Sequence, residues 1–213
     1  MKAIELAIFD LDGVLVDTAK YHYLAWRELG RTLGIEFTEE QNEAFKGVSR
    51  MACMDIMCEL ADQTDMSPSE RERIANTKNE HYLNLIESID ESELLPGVVS
   101  LFDHLKAKGI KIGLGSASKN ALPILEKTNV LSYFDVIVDG NKVSKAKPDP
   151  EVFVKAAQDL NIDAKHCVVF EDAFAGVQAA KAAQMHCFGI GTVENLPNAD
   201  EVFATVGDAI TKF

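Results

Sequence analysis

Basic residues are scarce in this sequence of 213 residues. Lysine and arginine number 21 against 34 aspartates and glutamates, which gives a formal net charge of −13 and a pI near 4.8. So acidic a mean field is a poor match for a protein that grips nucleic acid or an anionic membrane surface. We therefore expect no nucleic-acid and no membrane partner. The substrate can still be an anionic small molecule, because a local cluster of lysine, arginine and metal can override the mean negative field.

Cysteines are few and unsuited to zinc binding. The four are Cys53, Cys58, Cys167 and Cys187. They form no C-x-x-C pair, and no histidine lies near them at a spacing typical of zinc sites. We expect reduced, mostly buried thiols, as in a cytosolic protein.

Long apolar runs, internal repeats and low-complexity tracts are also missing. Asp10 and Asp12 interrupt the first apolar stretch, so no secretory leader is expected, and no window reaches the ~20 apolar residues of a membrane span. With 47% apolar and 26% charged residues, the composition is typical of a globular protein. We expect a cytoplasmic protein, monomeric by default, with one good-sized domain or a core and a smaller companion.

Five short runs, in contrast, are typical of buried strands. Each is rich in β-branched or aromatic residues and is bounded by polar residues or glycine. The runs are residues 4–9, 110–115, 134–138, 167–170 and 187–190. Helical spacing lies between the later runs, as in the series Val98, Leu101, Phe102 and Leu105, with Gly109 placed as a C-terminal cap. This alternation predicts an α/β fold, a Rossmann-like parallel sheet built from βαβ units.

The segment after the first strand has a different texture, because no convincing strand occurs in it. Its helical signals are an apolar stripe at Cys53, Ile56, Met57 and Leu60, and a capping box with proline at the first helical position at Ser67-Pro68-Ser69-Glu70. We therefore predict a catalytic core of residues 1–16 and 94–213, interrupted by an inserted all-helical cap domain, residues 17–93. Two neighbouring chain crossings make a natural hinge, so the cap is expected to act as a lid.

Polar side chains gather where the predicted strands end. In open parallel sheets, ligands bind beyond the carboxyl ends of the strands. Those ends carry Asp10, Asp12, Ser116, Lys147, Glu171 and Asp172. Several carboxylates and a bound phosphate cannot share a low-dielectric cleft with a single lysine. The sequence therefore predicts a hard divalent cation, with Mg²⁺ preferred because it binds through a few carboxylates plus a substrate phosphate.

Two of these carboxylates, on Asp10 and Asp12, can do two different kinds of chemistry. One can attack phosphorus and become an aspartyl phosphate, while the other moves a proton on the leaving or attacking hydroxyl. Gly13 lets the backbone approach a phosphate, and Ser116 with its following amides can hold phosphate oxygens. Alone, D-x-D-G also fits a plain turn or the start of a calcium loop. The polar groups at the other strand ends, Ser116, Lys147 and Glu171-Asp172, favour the catalytic interpretation over these two.

The motifs Asp10-Leu11-Asp12-Gly13, Ser116, Lys147 and Glu171-Asp172, in this order, resemble the haloacid dehalogenase superfamily of phosphotransferases. The resemblance covers essentially the whole chain. Within the superfamily, the cap segments Lys46–Arg50 and Lys78-Asn79 are similar to those of mutases that act on β-glucose 1-phosphate. This implies interconversion of β-D-glucose 1-phosphate and glucose 6-phosphate through an aspartyl phosphate and a glucose 1,6-bisphosphate.

The resemblance also implies a role for each matching residue. Asp10 would be the nucleophile and Asp12 the general acid/base, with Thr18 at the hinge and His22 and Lys78 positioning Asp12. Mg²⁺ would be held by Asp10, the backbone carbonyl of Asp12, Glu171 and Asp172. The implied phosphate-binding residues are Ser116, Ala117 and Lys147 at the transferring group, and Arg50, Ser118 and Asn120 at the distal phosphate. The implied substrate-binding residues on the sugar side are Gly47, Val48, Ser49, Trp26 and Asn79.

Alternative interpretations stay open at this stage. Trp26 suits the cap core, His22 suits lid packing, and Arg50 and Lys78 suit a solvated helix face. For the whole chain, one alternative is a Mg²⁺-dependent sugar-phosphate or phosphoglycolate phosphatase, which needs no second phosphate site. A non-catalytic phosphometabolite-binding protein is the other. The Lys147-Pro148 bond is a candidate for a cis peptide bond.

Overall fold

The computed structural model describes residues 3–213, which contain six strands and eight α-helices. The strands are β1 (Leu6–Phe9), β2 (Lys111–Gly115), β3 (Val136–Val138), β4 (Cys167–Glu171), β5 (His186–Ile190) and β6 (Glu201–Phe203). They form one sheet in the order β3-β2-β1-β4-β5-β6, and each neighbouring pair is parallel. The predicted α/β fold with a Rossmann-like parallel sheet is confirmed.

The helices fall into two groups along the chain. They are α1 (Ala19–Thr32), α2 (Glu39–Asn42), α3 (Arg50–Leu60), α4 (Pro68–Leu85), α5 (Val98–Ala107), α6 (Ala121–Lys127), α7 (Glu151–Asp159) and α8 (Phe174–Ala182). The first four lie between β1 and β2 and form the cap, and residues 17–93 contain no strand. The other four belong to the core. Helix α5 ends as predicted, because Gly109 follows it with a φ of 72°.

Apolar side chains cover both faces of the sheet. Successive strand residues point to opposite faces, so Phe9 and Ile8 of β1 enter different layers. Phe9 stacks on Phe170 with ring centroids 4.4 Å apart and meets Phe102 of α5 edge-on at 5.1 Å. On the other face, Ile8 packs in the same buried cluster as Phe153 of α7. A strand buried on both faces requires the continuous apolar run that β1 shows.

The sequence prediction missed strand β6. This strand has three residues, one of them Glu201, and it lies half-buried at the edge of the sheet beside β5. So short an edge strand carries no periodicity that distinguishes it from a loop. The other five strands coincide with the five predicted runs, although β1 and β3 each start two residues later than expected, at Leu6 and Val136.

The cap has an apolar core of its own, which includes Trp26, Phe37, Phe45 and Met54. In α3, Cys53 and Met57 are buried as the predicted stripe requires. Leu60 is a correction to that stripe, because its side chain is 38% exposed. It is the last residue of α3.

Helix α4 begins where the sequence predicts, although the structure shows only the serine half of the predicted capping box. Pro68 is the first helical residue, and the Ser67 Oγ accepts a hydrogen bond from the Glu70 backbone N–H at 3.3 Å. All four cysteines are buried and free, as expected. Among residues 3–213, no helix combines the length and the apolar character that crossing a membrane would need.

The chain passes between core and cap twice, and the two crossings lie side by side. The Asp17 N–H donates to the Glu93 carbonyl at 2.8 Å, and the Leu95 N–H donates to the Leu15 carbonyl at 2.9 Å. Val16 and Leu94 form an antiparallel bridge between them. We propose that this pair of crossings is the hinge, with the domain boundaries at residues 16–17 and 93–94.

Candidate active site

Three carboxylates meet at the carboxyl ends of β1 and β4. One oxygen from each of Asp10, Glu171 and Asp172 lies within 4.8 Å of the other two. Asp10 follows β1 directly, and Glu171 is the last residue of β4. The parallel register sets Phe9 opposite Phe170. The residues that follow them, Asp10 and Glu171, therefore lie side by side at the same edge of the sheet. The sheet itself therefore assembles the acidic cluster.

Lys147 reaches this cluster from the loop after β3. Its Nζ lies 2.6 Å from Asp10 Oδ1 and also donates a hydrogen bond to Glu171. The side chain is buried. Burial opposes its charge, but the carboxylates of Asp10 and Glu171 outweigh that effect and raise the pKa of Lys147 above its ordinary value. The peptide bond between Lys147 and Pro148 is cis, in agreement with the sequence hypothesis.

One lysine does not balance three carboxylates. Burial, with the charge of Asp10, raises the pKa of Glu171 to about 7 despite its contact with Lys147. Burial, with the charges of Glu171 and Asp10, raises the pKa of Asp172 well above its ordinary value. Excess negative charge on hard oxygen ligands suits a hard divalent cation. The residues present therefore fit a bound cation of this class.

Gly13 lets the loop after β1 pass close to the cluster. Its φ of 81° is unfavourable for residues with a side chain. A Cβ on Gly13 would lie 2.1 Å from Asp172 Oδ2, which no real contact allows. The glycine of D-x-D-G is thus required by this close approach.

Asp12, two residues after Asp10, contacts the cap. Thr18 Oγ1 donates a hydrogen bond to Asp12 Oδ1, and His22 Nε2 lies 3.9 Å from the same oxygen. Burial first, and then the charge of Asp10, raises the pKa of Asp12 to about 6, while the Thr18 hydrogen bond opposes this rise. A carboxyl group with such a pKa exchanges protons readily near neutral pH.

Lys78 is buried rather than placed on a solvated helix face. Only 4% of the residue is exposed, and its Nζ lies 4.5 Å from the centroid of the Trp26 ring and 3.0 Å from His22 Nδ1. Burial lowers the pKa of Lys78 to about 7. Burial, together with the charges of Lys78 and Arg50, holds the pKa of His22 well below its ordinary value. These effects favour the neutral form of His22.

Tyr82 supports this group and was missed by sequence reasoning. It is fully buried, its ring stacks on His22 with centroids 3.9 Å apart, and Lys78 Nζ lies 5.1 Å from its centroid. A signal was available, because residues four apart share one face of a helix, and Tyr82 follows Lys78 by four in α4.

A second polar cluster joins cap to core. Asn79 Oδ1 accepts hydrogen bonds from Arg50 Nη2 at 2.7 Å and from Asn120 Nδ2 at 2.9 Å. Arg50 and Asn79 belong to α3 and α4 of the cap, whereas Asn120 precedes α6 of the core. Arg50 Nη1 also donates to Asn76 Oδ1 at 3.1 Å. Asn76, which sequence reasoning did not single out, thereby helps to orient the guanidinium.

A tight turn follows β2 and carries the predicted phosphate ligands of the core. The Oγ of Ser116 accepts from the Ser118 N–H at 3.1 Å, and the Oγ of Ser118 accepts from the Asn120 N–H at 3.2 Å. Ala117 lies between them. These bonds hold successive backbone groups in a compact arc, a geometry that suits an anion.

Most of these groups surround one space between cap and core, with a volume of about 360 Å³, to which we refer as the site cavity. Its lining includes these predicted site residues: Asp10, Asp12, His22, Trp26, Gly47, Val48, Ser49, Arg50, Lys78, Asn79, Ser116, Ala117, Ser118, Asn120, Lys147 and Asp172. Thr18 and Glu171 do not line it but contact Asp12 and Lys147. Ser49 also caps α3, because its Oγ accepts from the Ala52 N–H.

Trp26 belongs to the cap core, as one of its two predicted alternatives had it. It is 3% exposed and packs edge-on against Phe45 in the cap core, yet it also forms part of the cavity wall. Its ring face is occupied by Lys78 Nζ. A role as a stacking platform for a sugar would compete with that contact.

Comparison with known proteins identifies a family and several relatives of this chain. Residues 4–184 match the model of the haloacid dehalogenase-like hydrolase family. The chain is 39% identical over 209 residues to a β-phosphoglucomutase of Bacillus subtilis, covering 98% of this chain and 91% of that protein. It is 32% identical over 182 residues to a phosphorylated carbohydrates phosphatase of Thermotoga maritima, with 84% and 82% covered.

A solved structure shares both sequence and fold. The crystal structure of a β-phosphoglucomutase from Clostridium difficile is 42% identical and superposes with a TM-score of 0.93, covering 96% of this chain and 92% of that one. The matched region therefore includes both cap and core. The chain belongs to the haloacid dehalogenase-like hydrolase family.

Proposed function

We propose that the protein interconverts β-D-glucose 1-phosphate and glucose 6-phosphate. Asp10 would carry the phosphoryl group as an aspartyl phosphate, and glucose 1,6-bisphosphate would be the intermediate. The observation that carries this proposal is the cluster of Arg50, Asn79 and Asn120 on the wall of the same cavity as Asp10. A substrate with a phosphate at either end needs a second phosphate site, and arginine binds phosphate bidentately.

In the proposed reaction the two aspartates divide the work. The Asp10 carboxylate attacks phosphorus, and Lys147 and Ser116 hold the transferring group. The sugar hydroxyl that later takes the phosphoryl group gives its proton to Asp12, which Thr18, His22 and Lys78 hold in place. In the opposite half-reaction Asp12 returns a proton to the leaving sugar oxygen. Its raised pKa, about 6, suits both directions.

Mg²⁺ is the cation that we propose for the acidic cluster. Asp10, Glu171, Asp172 and the backbone carbonyl of Asp12 would hold it. When bound, it supplies positive charge that offsets the carboxylates and the transferring phosphoryl group. The excess of carboxylate charge around a single buried lysine supports this assignment.

The described conformation has the cap in contact with the core over the site, since Asn79 of the cap bonds Asn120 of the core. A closed cap keeps bulk water from an aspartyl phosphate. That exclusion separates a mutase from a phosphatase. All of the groups come from one chain, so we propose that a monomer suffices for activity.

The second candidate function is a sugar-phosphate phosphatase. It is favoured by the similarity to the phosphatase of Thermotoga maritima. The polar cluster around Arg50 argues against it, because hydrolysis of a monophosphate does not need a second phosphate site.

A paired assay tests the proposal. Purified protein with Mg²⁺, β-glucose 1-phosphate and a trace of glucose 1,6-bisphosphate is followed for glucose 6-phosphate and for free phosphate. We expect fast isomerisation with little phosphate released. Steady phosphate release without isomerisation would establish the phosphatase instead, and no turnover with any sugar phosphate would favour a binding protein.

A further inference from the structure

A second cavity lies on the other side of Asp172 from the site cavity. It has a volume of about 660 Å³ and is also bounded by cap and core. Exposed residues such as Glu43 and Phe174 line it, so it communicates with solvent. We refer to it as the rear cavity. Lys46, Val48 and Asp172 border both cavities, so the two spaces share a wall beside the acidic cluster.

In that wall, Gly47 of the cap lies directly against Ala173 of the core. Gly47 lines the site cavity, and Ala173 lines the rear cavity. A Cβ on Gly47 would lie 2.9 Å from the Ala173 Cβ, closer than real side chains approach. The cap backbone therefore rests directly on the Ala173 methyl group, which is 5% exposed.

We propose that this contact, the Gly47–Ala173 seal, keeps water in the rear cavity from the phosphoryl group on Asp10. The inference rests on the proposed function and explains how the closed cap protects the intermediate on its solvent-filled side. Ala173 is a positioning residue here, because its methyl group touches the cap backbone and no reacting atom.

The reaction that the seal prevents is hydrolysis of the aspartyl phosphate. A water oxygen would bond to phosphorus while the bond from phosphorus to the Asp10 oxygen breaks. The electron pair of that bond would return to the carboxylate, and a water proton would pass to Asp12. The products would be free enzyme and inorganic phosphate. In the productive reaction a sugar hydroxyl takes the place of this water, so the seal sets the ratio of the two outcomes.

The size of residue 173 matters in both directions. Ala173→Leu would wedge the cap away from the core, because an overpacked contact shifts a closing equilibrium by roughly 5- to 150-fold. Ala173→Gly would leave a gap of one methyl group. Residue 173 is the N-cap of α8, a position that tolerates glycine, so this second variant keeps the fold.

The test measures inorganic phosphate released per glucose 6-phosphate formed, with Mg²⁺, β-glucose 1-phosphate and bisphosphate primer. The matched control is Ala204→Leu, which adds the same side chain to the core wall of the rear cavity. Ala204 is exposed and is not among the atoms within 4 Å of a Cβ on Gly47. We expect the ratio to rise by roughly 5- to 150-fold in Ala173→Leu, to rise in Ala173→Gly, and to stay unchanged in Ala204→Leu.

The ratio separates a seal from a structural role. A variant that is only less well folded loses both products equally, so its ratio stays at the parent value. A parent-like ratio in Ala173→Leu, or in Ala173→Gly should the leucine variant not fold, overturns the seal. An equal rise in Ala204→Leu overturns it as well. These outcomes leave the mutase assignment intact, whereas a parent protein that releases phosphate without isomerisation contradicts the assignment and the seal together.

Discussion

Asp10 and Asp12 have the same side chain but different surroundings. Asp10 lies 2.6 Å from the Lys147 ammonium and beside two other carboxylates. Asp12 bonds Thr18, and His22 lies beside it. The first environment places the carboxylate that we propose as the nucleophile next to the Lys147 ammonium. The second environment raises the pKa of Asp12 toward neutral pH, which suits proton transfer.

We predict that Asp10→Asn lowers turnover by about 10⁴-fold or more, because an amide does not form the acyl phosphate. The measurement is the rate of glucose 6-phosphate formation, together with mass spectrometry of the protein for a covalent phosphoryl group. Asp159→Asn, a matched change at an exposed position on α7, should retain parent activity. Substantial turnover in Asp10→Asn would rule out the covalent route.

Tyr82 offers a second prediction for a single residue. Its ring stacks on His22 and faces Lys78, so we expect Tyr82→Phe to retain most activity. Tyr82→Leu loses the stacking and cation–π contacts, and kcat should fall by roughly 10-fold with a smaller change in KM. Phe37→Leu is the control, because Phe37 is equally buried in the cap core. Equal losses of kcat in Phe37→Leu would mean that Tyr82 acts only through cap stability.

At the scale of elements, the sequence correctly predicted which residues meet at the strand ends, because the register of a parallel sheet determines that placement. Asp10, Ser116 and Glu171 come together because each stands at the end of its own strand, and apolar runs mark those strands. Burial of Lys78 and the bonds between Arg50 and Asn76 depend on how cap helices pack, which hydrophobic periodicity alone does not specify. For the same reason, the exposure of Leu60 at the end of α3 was not foreseen.

Arg50 of α3 donates to Asn79 of α4, which in turn accepts from Asn120 of the core. This cluster gives a third prediction. Arg50→Ala should raise the KM for glucose 1,6-bisphosphate by roughly 10- to 150-fold, since a charged hydrogen bond is worth about 1.5–3 kcal/mol. Hydrolysis of the aspartyl phosphate should change far less. Arg31→Ala, which removes an exposed cap arginine from α1, is the control. Equal losses in both reactions would contradict the distal phosphate clamp.

At the scale of the whole molecule, an acidic protein surrounds a cavity that is lined by many basic side chains. The net charge is −13, yet the site cavity is lined by Lys46, Arg50, Lys78, Lys119, Lys145 and Lys147. This local cluster offsets the mean field, as binding of a sugar phosphate requires. Holding a lysine inside such a site has a consequence for stability.

Lys78 should make the stability of the protein depend on pH. Its pKa is about 7 in the fold and about 10.4 in the unfolded chain. Between these values Lys78 binds more protons in the unfolded chain than in the fold, so its contribution to the free energy of unfolding rises with pH by up to about 1.4 kcal/mol per unit. We predict that Lys78→Met is more stable than the parent near pH 7.5 and that the gap narrows toward about pH 8.5. Urea unfolding at several pH values measures this.

The control for that experiment is Lys155→Met, which changes a lysine whose side chain is 40% exposed. Its stability should follow the parent curve. A constant gap between Lys78→Met and the parent over this pH range would contradict the lowered pKa of Lys78.

Metal binding provides the last prediction. Without metal, Asp172→Asn should melt at or above the Tm of the parent, because it removes repulsion within the acidic cluster. Saturating Mg²⁺ should then raise the parent Tm by about 2–4 °C for each kcal/mol of binding energy and the variant Tm far less. EDTA should abolish turnover. Equal Mg²⁺-induced shifts in both proteins would place the cation away from Asp172.

The bridge between Val16 and Leu94 bears on how such proteins diversify. Because the two crossings are held together, residues 17–93 leave the core and return to it at neighbouring points, as a long loop would. Loop-closure entropy grows only with the logarithm of length, about 0.6 kcal/mol for each doubling. An insert there could therefore be exchanged for a longer or shorter one at little thermodynamic cost to the sheet. Replacement of the insert alone would then let the same catalytic groups at the strand ends act on new substrates.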